Sequence, residues 1–223
     1  MEETGVIILA HGSRNEYEVS EVLTEVSRKV RRCLPSGVKV MWATIRNRIH
    51  DGASKGLIQV YTGDGKGKTT AALGLALRTA GQGMKVIVIQ FVKSNRTCGE
   101  HLFVSKYHPF DIVQLSTKSR LDQTMEGLRL TAERTMAFAE EAMLGGNYDM
   151  VILDEIFVAV SKGLVTTEQV KDLMSKKPEG VELILTGRGA SEEIIRHADL
   201  VTEMTAVKHP LTSGIQVRRG IEY

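Results

Sequence analysis

The stretch Gly63-Asp-Gly-Lys-Gly-Lys-Thr-Thr70 places three glycines, two lysines and two hydroxyls within eight residues. That combination suits phosphate binding. Glycines take backbone angles closed to other residues, so the N–H groups of the loop can converge on phosphate oxygens. A helix opening at its end adds the partial positive charge of its N-terminus. Lys68 supplies a cation for the phosphates and Thr69 a hydroxyl able to reach Mg²⁺. Gly63, Asp64, Gly65, Lys66, Gly67, Lys68, Thr69 and Thr70 are therefore the candidate phosphate cradle. The spacing is a variant: the usual loop has four residues between its first glycine and the Gly-Lys pair, but position 62 is Thr62, and Gly63 leaves only three.

A second group of chemistry-bearing residues ends the apolar run Tyr148-Asp-Met-Val-Ile-Leu-Asp154-Glu155. A strand beside a phosphate loop, with carboxylates at its C-terminal end, can hold Mg²⁺ directly or through water. Asp154 and Glu155 are both candidates for that role. Glu155 is taken as the closer ligand, with Asp154 in support.

Elements able to position these groups follow from the apolar patterning. Runs of strand length recur at Val6–Ala10, Leu57–Tyr61, Lys85–Val92, Asp111–Leu115, Met150–Leu153, Val181–Leu185 and Leu200–Met204. Several are continuous rather than alternating, as expected of strands covered on both faces. Thr69 to Ala80 reads as a helix stopped by Gly81. Leu121, Met125, Leu128, Ala132, Met136, Ala139 and Met143 step by three or four along one helix face, which ends at Gly145-Gly146. Alternating strands and helices predict a doubly wound α/β fold with a mostly parallel sheet, of the P-loop NTPase-like, RecA type. A polar, turn-prone stretch at Asn47–Lys55 reads as a linker. It separates an N-terminal unit of residues 1–50 from a main domain of residues 55–223.

Bulk properties narrow the function classes. The 223 residues are 42% hydrophobic, enough to build a packed core, and the formal net charge is only +2. No clustered basic surface argues for nucleic acid as a partner. No apolar run approaches the length of a membrane span, and the acidic start at Met1-Glu-Glu-Thr argues against a signal peptide. Cys33 and Cys98 lie far apart and suggest neither a disulfide framework nor a zinc site. A reducing cytoplasm is the expected compartment.

An ordered set of further blocks accompanies the loop. They are Gly81-Gln-Gly-Met-Lys-Val, Gln90-Phe-Val-Lys93, Gly99-Glu100, Leu153-Asp-Glu-Ile156, Thr186-Gly-Arg-Gly-Ala190, Ala198-Asp-Leu-Val-Thr-Glu-Met204, Lys208-His-Pro210 and Gly220-Ile-Glu-Tyr223. In this order they resemble the P-loop class of ATP:corrinoid adenosyltransferases, over about three-quarters of the chain. The resemblance extends to the shortened glycine spacing. It implies that a corrinoid such as cobalamin, reduced to Co(I), attacks the 5′ carbon of ATP and that the whole triphosphate leaves. ATP would lie on the loop in reversed polarity, with its ribose toward the acceptor. Lys68, Thr69 and Glu155 would then carry the catalytic charge stabilisation, with Lys66 and Mg²⁺ (or Mn²⁺) assisting. Arg78, Gln90 and Arg188 would contact the nucleotide, while Lys208 and His209 would border the corrinoid. The same resemblance implies a homodimer and a flavoprotein reductant for the cobalt.

In one place the chain departs from the family pattern. Many members carry a Gly-x-Gly-Phe-Thr-Trp stretch after the third strand, whose aromatic residues press on the lower face of the corrinoid. Here the region reads Leu115-Ser-Thr-Lys-Ser-Arg-Leu-Asp-Gln-Thr124, without glycine or aromatic residue, and the single tryptophan is Trp42. Phe103, Tyr107 and Phe110 are the nearest replacements, although aromatics beside strands usually pack in cores.

The N-terminal segment has its own resemblance. Val6-Ile-Ile-Leu-Ala-His11-Gly-Ser-Arg14 reads as a strand and turn, followed by a helix at Glu16–Cys33 and a strand at Val38–Ala43, a βαβ-like extension. It is similar to the opening of class II cobaltochelatases, which insert cobalt into sirohydrochlorin, with His11 matching their metal-side histidine. Only about 45 residues match, so the segment is expected to be a truncated, inactive remnant. Two other readings stay open at this level: an ATP-gated corrinoid-binding protein without catalysis, and a P-loop ATPase or kinase acting on another substrate.

Overall fold

The structure, a computed structural model, describes residues 7–9, 40–42, 55–92, 98–115, 124–210 and 214–221. The chain divides into two compact units, Met1–Gly52 and Ala53–Tyr223. In the first, strands β1 (Ile7–Leu9) and β2 (Val40–Trp42) pair in parallel, with Ile7 opposite Val40 and Leu9 opposite Trp42. His11 and the helix expected at Glu16–Cys33 lie outside the described residues.

The second unit is built on a six-stranded sheet in the order β5-β4-β6-β7-β3-β8, every neighbouring pair parallel. Its strands are β3 (Ile58–Thr62), β4 (Val86–Gln90), β5 (Asp111–Val113), β6 (Met150–Asp154), β7 (Glu182–Thr186) and β8 (Leu200–Glu203). Helices α1 (Lys68–Gly81), α2 (Gly99–Tyr107), α3 (Met125–Leu144), α4 (Ile156–Ser161), α5 (Thr167–Ser175) and α6 (Glu192–His197) connect them. This is the doubly wound α/β arrangement expected, with the sheet parallel throughout. β7 lies between the phosphate-loop strand β3 and the acidic strand β6.

The continuous apolar runs are explained by burial on both faces. Along β4, Ile87 and Ile89 enter one core and Val86 and Val88 the other. Along β6 the same alternation sends Val151 and Leu153 one way, Met150 and Ile152 the other. The larger core also takes Ala132, Ala139 and Met143 of α3, and Val170 and Leu173 of α5. The smaller core takes Ala72 and Ala76 of α1. Each large side chain so buried contributes roughly 1.5–3 kcal/mol. A sheet covered this way leaves its strand ends as the place where polar side chains can meet a ligand.

Helix boundaries follow local chemistry. α1 runs one residue beyond the expected stop, through Gly81; the left-handed glycine after it is Gly83 (φ 80°). α3 starts where the Thr124 hydroxyl accepts the Gly127 N–H, and ends at Gly145 with Gly146 at φ 67°. α5 opens with a full capping box, Thr166 and Gln169 each bonding the other's backbone N–H.

Candidate nucleotide site

The phosphate loop connects β3 to α1 and is braced by the chain just beyond β8. The Gly65 N–H donates to the Met204 carbonyl at 2.6 Å. A Cβ on Gly63 would stand 2.5 Å from that same carbonyl oxygen, and one on Gly65 2.6 Å from it. Gly63 also sits at φ 91°, in the region that only glycine enters freely. The compact spacing of the loop is thus matched to a backbone neighbour that leaves no room for side chains.

Lys68 opens α1 and is buried. Its ammonium donates to the carbonyls of Gly63 at 2.6 Å and Gly65 at 2.7 Å. The loop therefore encloses its own cation, and phosphate oxygens would replace these two carbonyls. Burial, and after it the Arg188 guanidinium, push the Lys68 ammonium below its ordinary range, against the pull of Glu155 and Asp64.

The acidic strand delivers Asp154 to the same place. Its carboxylate is 0% exposed. Oδ1 accepts from Thr69 Oγ1 and from Thr186 Oγ1, each at 2.8 Å, and Oδ2 accepts from Gln90 Nε2 at 3.1 Å. Four elements, α1, β7, β6 and β4, are tied together by this one group. Glu155 follows in a left-handed conformation (φ 63°, ψ 24°) and caps α4, its N–H donating to Thr186 Oγ1 at 3.0 Å. A non-glycine residue in this region stores strain of the kind found at functional sites. The turn leaves the Glu155 side chain lining a cavity over the loop, whereas Asp154 stays beneath it.

That cavity holds about 530 Å³, within the roughly 300–1,000 Å³ range of ligand clefts. It is lined by the loop from Gly65 to Thr70, by Glu100, Glu155, Arg188 and His209, and by the apolar Pro210, Ile215, Val217 and Ile221. Arg188 is held there by the β7 end: the Gly187 N–H donates to the Tyr61 carbonyl at 3.2 Å, and the Ala190 N–H to Thr62 Oγ1 at 3.2 Å.

The sequence-derived residues separate into three groups. Gly65, Lys66, Gly67, Lys68, Thr69, Thr70, Glu155, Arg188 and His209 line the cavity. Gly63, Asp154 and Gln90 stand behind that lining, Gly63 against Met204 and the other two in the buried hydrogen-bond network. Arg78 and Lys208 are exposed and outside the lining, as is Asp64. Arg78 occupies the last turn of α1, where a cation complements the helix dipole, about 15 Å along the axis from Lys68 by helix rise. Phe103 and Tyr107, both exposed on α2, meet in a tilted contact with centroids 4.9 Å apart, and Phe110 packs against the smaller core. None of the three aromatics lines the cavity. Residues 116–123, where the aromatic stretch would fall, are outside the described residues.

Several contributors were not legible beforehand: Thr186, Glu100, His101, the Met204 carbonyl and the wall at Ile215–Ile221. The Gly99-Glu100, Thr186-Gly-Arg-Gly-Ala190, Ala198–Met204 and Gly220-Ile-Glu-Tyr223 blocks were the available signals for four of them, and His101 had none.

The donors around Thr69 fit a hard divalent cation. Asp154, Glu155 and Thr69 offer only oxygen, as Mg²⁺ prefers. Among the described residues no group of three or more His, Cys, Asp and Glu could hold a metal ion, so phosphate oxygens would complete the shell. Also among the described residues, no helix is long and apolar enough to cross a membrane.

Comparison with known proteins places this geometry in a family. The family model described as ATP:corrinoid adenosyltransferase BtuR/CobO/CobP matches residues 54–223. A corrinoid adenosyltransferase of Sinorhizobium sp. is 39% identical over 174 residues, 76% of this chain and 81% of that one. One from Escherichia coli K12 is 35% identical over 170 residues, 76% of this chain and 86% of that one. Among solved structures, a KaiC-like protein from Pyrococcus horikoshii OT3 matches at TM-score 0.44 and 18% identity, covering 68% of this chain and 74% of that one. With a phosphate loop, an acidic strand end and a cavity all inside the matched span, the chain belongs to the ATP:corrinoid adenosyltransferase BtuR/CobO/CobP family.

Proposed function

We propose that this chain transfers the 5′-deoxyadenosyl group of ATP to the Co(I) centre of a corrinoid. The cobalt–carbon bond forms as the bond between C5′ and its oxygen breaks, and the electron pair leaves on an intact triphosphate. The observation that carries this reading is the cavity itself. Its lining joins the lysines of the loop, Lys66 and Lys68, to the apolar Leu73, Pro210, Ile215, Val217 and Ile221, so one cavity offers partners both to a polyanion and to an apolar macrocycle.

The side chains divide the work. Lys68, once released from the Gly63 and Gly65 carbonyls, neutralises charge on the departing triphosphate. Lys66 and Arg188 add cations to the lining. Mg²⁺ (or Mn²⁺), held by Thr69 and Glu155 with Asp154 in support, would supply further neutralisation of the phosphates. No general base is needed, because the attacking cobalt has no proton to lose. Gly65, Gly67 and Thr70 line the cavity from the phosphate loop, and Gly63 lets the loop pack on Met204. His209 and the apolar wall face the acceptor, while Gln90 acts from behind Asp154. Arg78 and Lys208 are left out of the proposed site because they stand away from the lining.

The proposed boundaries are a chelatase-like segment at residues 1–50 and a transferase domain at 55–223. The first is read as a remnant without a part in transfer, because its resemblance covers only about 45 residues. A homodimer and a flavoprotein electron donor accompany this reading by family resemblance. An anaerobic assay with chemically reduced cobalamin, ATP and Mg²⁺, followed by the cobalt spectrum, tests it. Conversion to a light-sensitive alkylcobalamin is expected; corrinoid binding shifts without a cobalt–carbon bond would refute catalysis. His11→Ala should leave the rate unchanged, and a large loss would refute the proposed division of labour.

A further inference from the structure

A histidine outside the cavity lining touches the network that holds Thr69. His101, in the first turn of α2, places Nε2 at 2.7 Å from Gln90 Oε1. Gln90 ends β4 with its side chain 2% exposed, and its Nε2 donates to Asp154 Oδ2. Asp154 in turn accepts from Thr69 Oγ1. A single chain of hydrogen bonds therefore runs from α2 through β4 and β6 to the phosphate loop.

The direction of each bond is fixed by what the ends can do. An ionised carboxylate only accepts, so Gln90 must turn its NH₂ toward Asp154 and its carbonyl toward His101. An acceptor at Gln90 Oε1 requires that His101 carry its proton on Nε2. Without that donor Asp154 alone still orients the Gln90 amide, but its Oε1 loses the anchor on α2 and the side chain is freer to move off the Asp154 carboxylate.

We propose that His101 is a positioning residue for the metal arm of the nucleotide site, acting through Gln90 and Asp154 on Thr69. This rests on the nucleotide reading given above. Partners bonded directly to metal ligands typically change metal affinity by about 10–100-fold, and His101, set behind such partners, is expected at the lower end of that range.

The test is calorimetric titration of the full chain with ATP, once with excess Mg²⁺ and once with EDTA. His101→Leu is expected to weaken ATP binding about tenfold with Mg²⁺ and to leave binding in EDTA unchanged. His101→Gln, whose Nε2 can donate to the same carbonyl, is expected to restore affinity to within about threefold. Gln90→Leu breaks the chain from its buried side and must reproduce the metal-dependent split should His101→Leu fail to fold. Equal affinities for His101→Leu and the parent chain, or equal losses with and without Mg²⁺, would overturn the proposal; equal losses would mark the His101 bond as a tie between α2 and β4 only. Absence of adenosyl transfer by the parent chain would defeat the functional reading without touching this split.

Discussion

Thr69 and Asp154, 85 positions apart in the chain, are joined by a 2.8 Å hydrogen bond in which the threonine donates. The bond ties the first turn of the phosphate-loop helix to the end of the acidic strand, across the intervening strand β7. It makes the loop and the carboxylate one device rather than two neighbouring motifs.

Replacing Asp154 separates its structural and chemical roles. Asp154→Ala leaves the hydroxyls of Thr69 and Thr186 and the Gln90 amide without an acceptor at a fully buried point. Each unsatisfied group costs about 1–3 kcal/mol, so the denaturant midpoint should fall sharply. Asp154→Asn keeps an oxygen for both threonines, and a flip of the Gln90 amide can accept from its new NH₂. Its stability loss should stay under about 1.5 kcal/mol, while Mg²⁺-dependent ATP binding still falls because the charge is gone. Chemical denaturation and calorimetry read the two effects separately.

Lys68→Ala removes a buried side-chain cation that grips two loop carbonyls. Adenosyl transfer should drop by at least about 10²-fold, the scale for deleting one group that stabilises a leaving anion. Single-turnover kinetics with saturating ATP would check it. A loss confined to KM would contradict a role in the departing charge.

Two glycine substitutions make a matched pair. Gly65→Ala drives a Cβ to 2.6 Å from the Met204 oxygen, so the loop must shift away from β8. ATP binding should be lost. Gly74→Ala lies mid-helix in α1 with nothing within 4 Å of the added carbon. It should raise stability by about 0.5–1 kcal/mol and leave ATP binding intact. Thermal melts and ATP titration of both variants decide this.

Alkaline stability has an identified contributor. Burial first, and then the bond and charge of Asp111, push the Tyr148 phenol up to about 12; the hydroxyl donates to Asp111 Oδ2 at 2.8 Å. In the unfolded chain a tyrosine ionises near pH 10. The folded pKa is raised, so the stabilisation is complete below about pH 10 and disappears as pH climbs toward about 12. Tyr148→Phe should flatten that part of the stability profile, measured as melting temperature from pH 9 to about 12.

How far the sequence discloses this site depends on whether the signal is local. The loop is legible because a strand, three glycines and Lys68-Thr69 are contiguous. The strands are legible because two-sided burial makes unbroken apolar runs, as in Val86–Gln90 and Met150–Asp154. Helix α3 shows a period because its buried face meets the larger core. Helix α2 shows none: Leu102, Phe103 and Tyr107 are exposed while Val104 alone is buried. Helix α5 could have been read from its Thr166 and Gln169 capping pair. The network itself is not local. His101 on α2 meets Gln90 on β4, Asp154 meets Thr186 on the neighbouring strand, and the loop's brace is a backbone carbonyl at Met204, which carries no side-chain signature.

The same distinction bears on the residues that stand outside the lining. Arg78 sits on the phosphate-loop helix, but helix rise carries it to the far end of α1 from the loop. Lys208 adjoins His209, yet only the histidine lines the cavity. Adjacency in sequence gave no information about which side chain of the pair turns inward.

The central claim is that the carbon–oxygen bond at C5′ breaks and no phosphoanhydride does. Phosphorus NMR of the products, after anaerobic turnover with Co(I) corrinoid, ATP and Mg²⁺, distinguishes these directly. The account predicts intact triphosphate, equal in amount to the adenosylated corrinoid formed. ADP with orthophosphate, released at the same rate whether or not corrinoid is present, would contradict it.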